Sequence, residues 1–431
     1  MWPQITRIEG ISTHQLEAVK LATAGSVGVL NGGPGVGKTT VAGALLRAAV
    51  NRIGLYRIRV AAPTGKAAVR LTAVLQQLGI RGLEATTNHR MLGVSRPGYD
   101  GDGWGFEHHA ENPIPADLIA IDEVSMLDVD MAASVFSAVG PECSVLLIGD
   151  TGQLPPVQHG AFLRDLVAAG APCGELTEIW RNAGDIVKVC HAIRRGESFE
   201  PSDGINIGEG RNFLHVESRT PDKTITSLRR LLRNTPPDID PLWDCQVMVA
   251  VNEKSRLCRT ALNKILQADF NPGQPDTKSG FRLNDKVICL KNTGLPLVQD
   301  GKVTKTPDFV ANGEIGQVIE TTPRGAMWVR FDFPSRTVQV GGEHLKKFDL
   351  AYVITVHKSQ GSQWPVAIYV SDDYRGARFV ASRELIYTAL SRAEKLAVTI
   401  GRWDTIVEDC QREALSKRKT FLRELLTGEM Q

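Results

Sequence analysis

The run Gly32-Gly33-Pro34-Gly35-Val36-Gly37-Lys38-Thr39-Thr40 has the residue types and spacing of a loop that holds phosphate, G-x-x-x-x-G-K-[ST]. Its glycines let the backbone curl until successive N–H groups face an anion. Lys38 is placed to reach the β- and γ-phosphates of a nucleoside triphosphate, and Thr39 to give its hydroxyl to Mg²⁺. Two elements must position this loop. Val27-Gly28-Val29-Leu30 reads as a buried strand before it. Val41 to Val50 reads as a helix after it, with the positive end of its dipole at the anion.

Two further strand ends carry chemistry. Leu118 to Ile121 is an apolar strand that runs into Asp122-Glu123. An Asp there can hold Mg²⁺, and the adjacent Glu can deprotonate the water that attacks the γ-phosphate. Without the phosphate loop upstream, the pair would read as solvated acids at a strand end. The second is Leu146-Leu147-Ile148-Gly149-Asp150-Thr151-Gly152-Gln153-Leu154-Pro155-Pro156-Val157. Gln153 can touch the γ-phosphate and report its presence. On its own, the segment reads as a turn held by Asp150, Gly152 and Pro155.

A chain of 431 residues suffices for two or three domains with substantial cores. Hydrophobic content of 42% and charged content of 23% are ordinary for a globular protein. No apolar window reaches the ~18–20 residues that span a bilayer. The start, Met1-Trp2-Pro3-Gln4, shows no basic run leading into an apolar one, so no secretory signal is expected. The cysteines are scattered, odd in number and never spaced C-x-x-C, which argues against zinc and suits a reducing cytoplasm. The net charge of +2 does not announce a polyanion partner, although a basic groove can sit on a nearly neutral body.

Short β-rich runs at 57–62, 118–121, 145–148, 247–251, 351–356 and 397–400 alternate with helical patterns. That alternation predicts an α/β fold with parallel sheets, one before about residue 177 and one after it. Two stretches break it. Arg96 to Asn112 is turn-rich, with Trp104 and Phe106 one position apart, and reads as a short β-hairpin or a mobile loop. Phe281 to Asp349 holds short strands at 286–290, 315–319, 327–331 and 337–340, which predicts a small inserted β-barrel.

In their order along the chain, these segments resemble the motifs of superfamily 1 helicases, and within them the RecD-like group that includes the Dda-type helicases. The first motif is Gly32 to Thr40. Motif Ia is similar to Ala62 to Ala68, followed by Thr87-Asn88-His89-Arg90-Met91-Leu92-Gly93. Motif II is Ile121 to Asp128 and motif III Gly149 to Val157. Motif IV resembles Leu176 to Asn182, motif V is Thr355 to Ser362 and motif VI is Tyr387 to Ala393.

The resemblance implies two RecA-like P-loop NTPase domains. The first spans 1–177, with a β-hairpin insertion at 94–112. The second spans 178–280 and 350–431, with an SH3-like β-barrel insertion at 281–349. Arg181 and Arg392 are implied to join Lys38, Asp122, Glu123 and Gln153 in catalysis by reaching the γ-phosphate from the second domain. A cation delivered in that way stabilises charge on the transferring phosphoryl group. Gln15 is implied to recognise adenine. Gln360 and Gly361 join Gly32 to Thr40 in the nucleotide set, and Thr39 and Asp122 form the metal set. Pro63, Thr64, Gly65, Lys66, His89, His357, Lys358 and Ser359 are implied to grip a nucleic-acid strand through its phosphates, which positions the strand without reading its sequence. Trp104 or Phe106 is implied to stack on the end of a duplex, as in the pin of this family.

The expected activity is ATP-dependent 5′→3′ movement on single-stranded DNA with duplex unwinding, with ATP and Mg²⁺ as cofactors. The expected partners are single-stranded DNA and its junctions with duplex. A monomer is expected, with room for a replication or recombination partner, and DNA repair, recombination or replication as the setting. Unlike the RecD subunits of nuclease complexes, the chain has no long region before its first motif, which favours a stand-alone enzyme. Three readings share most of these residues: a translocase that does not separate strands, an ATPase subunit of a recombination or nuclease complex, and an RNA motor. A binding module that has lost hydrolysis would be expected to lack at least one of Lys38, Thr39, Asp122, Glu123, Arg181 and Arg392.

Overall fold

The computed structural model describes residues 8, 10–95, 105–178, 184–273, 280–322, 325–332, 335–414 and 420–428. The chain forms two compact units, Met1–Ala183 with Leu415–Gln431, and Gly184–Ala414.

The first unit runs α1 (Thr13–Ala22), β1 (Val27–Gly32), α2 (Lys38–Ile53), β2 (Ile58–Ala62), α3 (Gly65–Gln77), β3 (Ala85–Thr87) and α4 (Asn88–Leu92). It continues with β4 (Val94–Ser95), β5 (Gly105–Phe106), β6 (Leu118–Ile121), α5 (Val129–Ser137), β7 (Ser144–Gly149), α6 (Phe162–Ala168) and β8 (Cys173–Leu176). Among the described residues it holds a six-stranded sheet, in the order β3-β2-β6-β7-β1-β8, with every neighbouring pair parallel. A parallel sheet needs cover on both faces, and alternate residues along each strand supply two cores. Leu30, Leu146 and Ile148 face one core, while Val29, Val145 and Leu147 face the other. Val41, Leu45, Leu46 and Ala49 of α2 close the first of these.

Helix α1 lies directly on β1 and β8, and two glycines make that approach possible. A Cβ on Gly28 would fall 1.5 Å from the Ala22 carbonyl oxygen, and one on Gly174 would fall 1.8 Å from that of Ala18.

The second unit contains α7 (Asp185–Arg195), β9 (Phe213–Glu217), α8 (Pro221–Arg233), β10 (Cys245–Val249) and α9 (Arg259–Phe270). Then come β11 (Lys286–Cys289), β12 (Thr293–Gln299), β13 (Lys302–Val310), β14 (Ile315–Thr321), β15 (Met327–Asp332), β16 (Ser335–Val340) and β17 (Phe348–Leu350). It ends with β18 (Val353–Thr355), α10 (Val356–Ser359), β19 (Trp364–Val370), α11 (Arg375–Val380), α12 (Arg383–Leu390), β20 (Ala393–Gly401) and α13 (Trp403–Cys410). Among the described residues, β18-β10-β19-β20-β9 form a second all-parallel sheet. The parallel α/β organisation expected from the sequence is therefore present in both units.

Strands β11 to β17 form a seven-stranded antiparallel sheet, in the order β13-β12-β16-β15-β14-β11-β17. All seven feed one core, including Val287, Leu295, Val310, Val318, Val329, Val338 and Phe348. The sheet's two ends meet at Asp285. That fully buried carboxylate accepts hydrogen bonds from Gln267 (2.7 Å) and Asn271 (2.8 Å) of α9, from the Arg282 backbone N–H (2.7 Å) and from the Tyr352 hydroxyl (2.9 Å). Burial and the adjacent carboxylate push the Tyr352 phenol above its ordinary range.

Two boundaries depart from the expected division, since residues 178–183 cluster with the first unit. Residues 415–431, likewise expected in the second RecA-like domain, also cluster with the first unit. The reason is apolar packing: α14 (Leu422–Thr427) sets Leu422 against the core formed by Phe162 and Leu163 of α6. Among the described residues, no helix is long and apolar enough to cross a membrane.

Candidate active site

In an open parallel sheet, loops at the carboxyl ends of the strands converge on one edge. In the first unit, β1, β6 and β7 end there in Gly32, Ile121 and Gly149. After β1 the chain turns through Gly35 (φ 75°) and Gly37 (φ 79°), both left-handed, and Lys38 begins α2. A Cβ on Gly32 would lie 2.8 Å from Val36 and 2.9 Å from the Leu176 carbonyl, so only glycine fits beside β8. No side chain caps α2 at Gly37, which leaves its first backbone N–H groups aimed at the loop. Lys38 Nζ donates to the carbonyls of Gly32 (2.6 Å) and Gly33 (2.8 Å), so the ammonium is held over the loop by its own backbone.

Asp122 and Glu123 follow β6. The Asp122 backbone N–H donates to Ala61 (2.9 Å), extending the sheet by one bond. Glu123 has φ 53° and ψ 40°, a left-handed conformation that costs a non-glycine residue ~1–3 kcal/mol and clusters at functional sites. Its N–H donates to Asp122 Oδ1 (2.8 Å). Desolvation, with repulsion from Glu123, raises the Asp122 carboxyl to about 6. A cation beside these acids would relieve both effects, which suits Asp122 to a cation.

The loop after β7 is tightly braced. Gly152 N–H donates to Asp150 Oδ1 (2.9 Å) and Gln153 N–H to Asp150 O (3.1 Å), while Ser125 Oγ donates to Gln153 Oε1 (3.4 Å). Gln153 is thereby buried and joined to the segment after Asp122-Glu123. Asn31, beside Gly32, reaches this loop as well, and the sequence offers for it only a polar residue near the end of an apolar strand.

Gln15 is buried on α1. Its Oε1 accepts from Ser12 N–H (3.0 Å) and its own N–H donates to Ser12 Oγ (3.2 Å), a capping box that fixes the side chain. The same helix start holds the exit of β8. Ser12 Oγ donates to Glu178 Oε2 (3.2 Å), and the Thr177 hydroxyl and His14 Nε2 share a hydrogen bond (3.1 Å). Arg181, just beyond, lies outside the described residues.

In the second unit, Arg392 is fully buried. Its guanidinium donates to Thr388 O (3.2 Å), Ser362 O (3.3 Å) and Ser391 Oγ (3.1 Å), tying motif VI to motif V. Gln360 is buried beside Gly361, whose φ of 70° marks a turn.

The nucleic-acid set is altered in several places. Ser359 is fully buried and donates inward to Val356 O (2.7 Å), so its hydroxyl is not offered to a strand. Thr64 caps α3, accepting from Ala67 N–H (3.2 Å), with Pro63, Gly65 and Lys66 around that helix start. His89 packs on Phe106 (ring centroids 6.0 Å apart), and desolvation lowers its pKa, so the ring is neutral near pH 7 and no cation for phosphate. Lys358 donates to Asn312 of the antiparallel sheet (2.6 Å), and burial lowers its pKa too; His357 precedes it on α10.

Val94–Ser95 and Gly105–Phe106 pair antiparallel. Trp104 lies outside the described residues. Phe106 is half-buried and packs against the first unit's core, which gives the ring a structural use besides its expected stacking role. Phe106→Ala should therefore cost about 1–2 kcal/mol of stability. Thermal denaturation and activity assays would check this, with ATPase and unwinding falling together. Selective loss of unwinding at unchanged Tm would support the stacking role.

Residues 10–219 match the family model described as an AAA domain, and residues 350–400 that of a UvrD-like helicase C-terminal domain. The chain is 33% identical over 424 residues to an ATP-dependent RecD2 DNA helicase of Deinococcus radiodurans, covering 96% of this chain and 52% of that protein. It thus spans about half the length of that relative. A Pif1 helicase from Bacteroides, solved in complex with ADP-AlF3 and ssDNA, is 20% identical with a TM-score of 0.49, over 90% of this chain and 92% of that one. The RecBCD enzyme subunit RecD of Mycolicibacterium smegmatis is 31% identical over 450 residues, 98% of this chain and 77% of that protein. On that extent of similarity, the chain belongs to the RecD-like helicases of superfamily 1.

Proposed function

We propose that this chain is an ATP-dependent DNA helicase that moves 5′→3′ along single-stranded DNA and unwinds duplex ahead of it. The observation carrying the reading is the placement of Lys38, Asp122, Glu123 and Gln153 along one edge of a parallel sheet, where Ser125 bonds to Gln153 and Asn31 of β1 bonds to Thr151. The direction rests on resemblance to the RecD-like group.

In this reading, residues 1–177 form RecA-like domain 1A with a pin at 94–112. Residues 178–280 and 350–414 form domain 2A, with an SH3-like insertion at 281–349. Gln15 holds adenine and the phosphate loop holds the triphosphate. Thr39 and Asp122 would hold Mg²⁺, which supplies charge neutralisation across the β- and γ-phosphates. Glu123 takes a proton from the attacking water, and Gln153 registers the γ-phosphate. Arg181 and Arg392 carry positive charge to the transition state. Gln360 and Gly361 line the nucleotide side of the second domain. Pro63, Gly65, Lys66, His357 and Lys358 hold the strand; Trp104 and Phe106 are the candidates for the pin. We place the protein in the cytoplasm, acting as a monomer on single-stranded DNA and its junctions, with a recombination or replication protein as an additional partner.

A forked duplex with a single tail tests this directly. Unwinding from the 5′ tail and not from the 3′ tail is expected; the reverse overturns the direction. Lys38→Ala should lower DNA-stimulated ATP hydrolysis at least about 100-fold, because it removes the cation nearest the transferring phosphoryl group. Near-normal turnover would remove the catalytic assignment.

A further inference from the structure

Asn31 is the penultimate residue of β1, and only 4% of it is exposed. In the sheet it stands opposite Gly149 of β7 on one side and Glu175 of β8 on the other. Its carboxamide bonds to both neighbours. Nδ2 donates to Thr151 Oγ1 (3.2 Å) and to Glu175 Oε1 (3.3 Å), while Oδ1 accepts from the Thr151 backbone N–H (3.1 Å). These contacts fix the plane of the amide. Two of them fall on Thr151, two positions before Gln153, and the Asp150 turn leaves little slack between the two residues.

We propose that Asn31 is a positioning residue: it couples the phosphate-loop strand to the loop carrying Gln153 and to β8, the strand that leads toward Arg181. The inference rests on the catalytic reading above and adds a residue to it. Asn31 touches neither nucleotide nor water in this scheme. It sets where Gln153 stands when the phosphate loop is filled. The chemistry requires a carboxamide. Aspartate would lack both donors and place a second carboxylate against Glu175, and serine or alanine cannot reach both strands.

The signature of such a role is a loss confined to the transition state. Asn31→Ala should lower kcat for DNA-stimulated ATP hydrolysis about tenfold, equivalent to ~1.4 kcal/mol, with KM for ATP changed less than about twofold. Fluorescently labelled ADP should bind both proteins alike, while the tightening produced by fluoroaluminate should be lost in the variant. Thr151→Val should reproduce part of the effect, since it removes one of the three Asn31 bonds, and Thr151→Ser should not, since the serine keeps the hydroxyl. The double variant Asn31→Ala with Thr151→Val should be no worse than Asn31→Ala alone, because Asn31→Ala already removes the one contact that Thr151→Val removes. Thr151 is only half-buried, so its variants keep the test alive if Asn31→Ala folds poorly. Additive losses, a rise in KM at unchanged kcat, or unaltered fluoroaluminate binding would overturn the proposal. A wild-type protein that neither hydrolyses ATP nor tightens on fluoroaluminate would sink the catalytic reading and this inference with it; an active wild type with a normal Asn31→Ala sinks this inference alone.

Discussion

Glu123→Gln is expected to lower DNA-stimulated ATP hydrolysis by about 10²–10⁴-fold while leaving ATP binding intact. The amide matches the carboxylate in shape but does not take a proton from water. The residue sits in a left-handed conformation immediately after the strand, so the backbone already stores strain to aim this side chain. Removing its charge also relieves one of the two effects that raise the Asp122 carboxyl, so the acid proposed to hold the metal becomes easier to ionise. Nucleotide affinity should therefore hold or improve as turnover collapses. Single-turnover hydrolysis alongside nucleotide titration separates the two. Turnover within about tenfold of the wild type would show that another group serves as base.

Gly28→Ala should be among the most damaging single substitutions in the first unit. The new Cβ would lie 1.5 Å from a backbone oxygen, that of Ala22, and a backbone atom does not swing aside as a flexible side chain does. Helix α1 must lift from the sheet. Ala18, Val19 and Ala22, all buried, would lose their packing, and Gln15 would shift with them. A cost of ~3 kcal/mol or more is expected, enough to lower Tm by about 6–12 °C in a unit of this size. Gly174→Ala should behave alike, because its Cβ would meet Ala18 O at 1.8 Å. Gly140→Ala is the control: its nearest neighbour would be 4.0 Å away. Calorimetry on the three variants, with KM for ATP, decides the matter. A Gly28→Ala protein as stable as the control would mean that α1 does not pack as described.

The sequence disclosed the parallel sheets because β6 and most of β7 are apolar runs, the composition that burial on both faces favours. It hid other strands for equally physical reasons. β12 (TGLPLVQ) and β13 (KVTKTPDFV) contain glycine, proline and lysine, and much of β13 faces solvent, so their pattern resembles loop. β19 begins Trp364-Pro365, and its pairing with β20 shifts register between Trp364 and Val366, where a proline is tolerated. In the site, the residues that bind phosphate announced themselves, since glycines with a lysine at fixed spacing have few other uses. The residues that brace them did not. Asn31 is one polar position at a strand end, and nothing local says that its amide reaches two neighbours. Ser359 looked like a contact because hydroxyls suit phosphate, but the same hydroxyl also satisfies a carbonyl inside a helix turn. The attachment of α14 depends on one leucine meeting α6, a long-range event that no local pattern encodes.

The knot at Asp285 has a mechanical consequence. An inserted module swings freely only when its entering and leaving strands are slack, and here both are fastened to one carboxylate that α9 also grips. With Asn312 clasping Lys358 of motif V, the small β-module and the helix start beneath it should tilt as one stiff lever. The Asp285 fastening is buried, so added salt should leave its share of that stiffness unchanged, whereas the partly exposed Arg259–Asp349 ion pair between α9 and β17 should weaken.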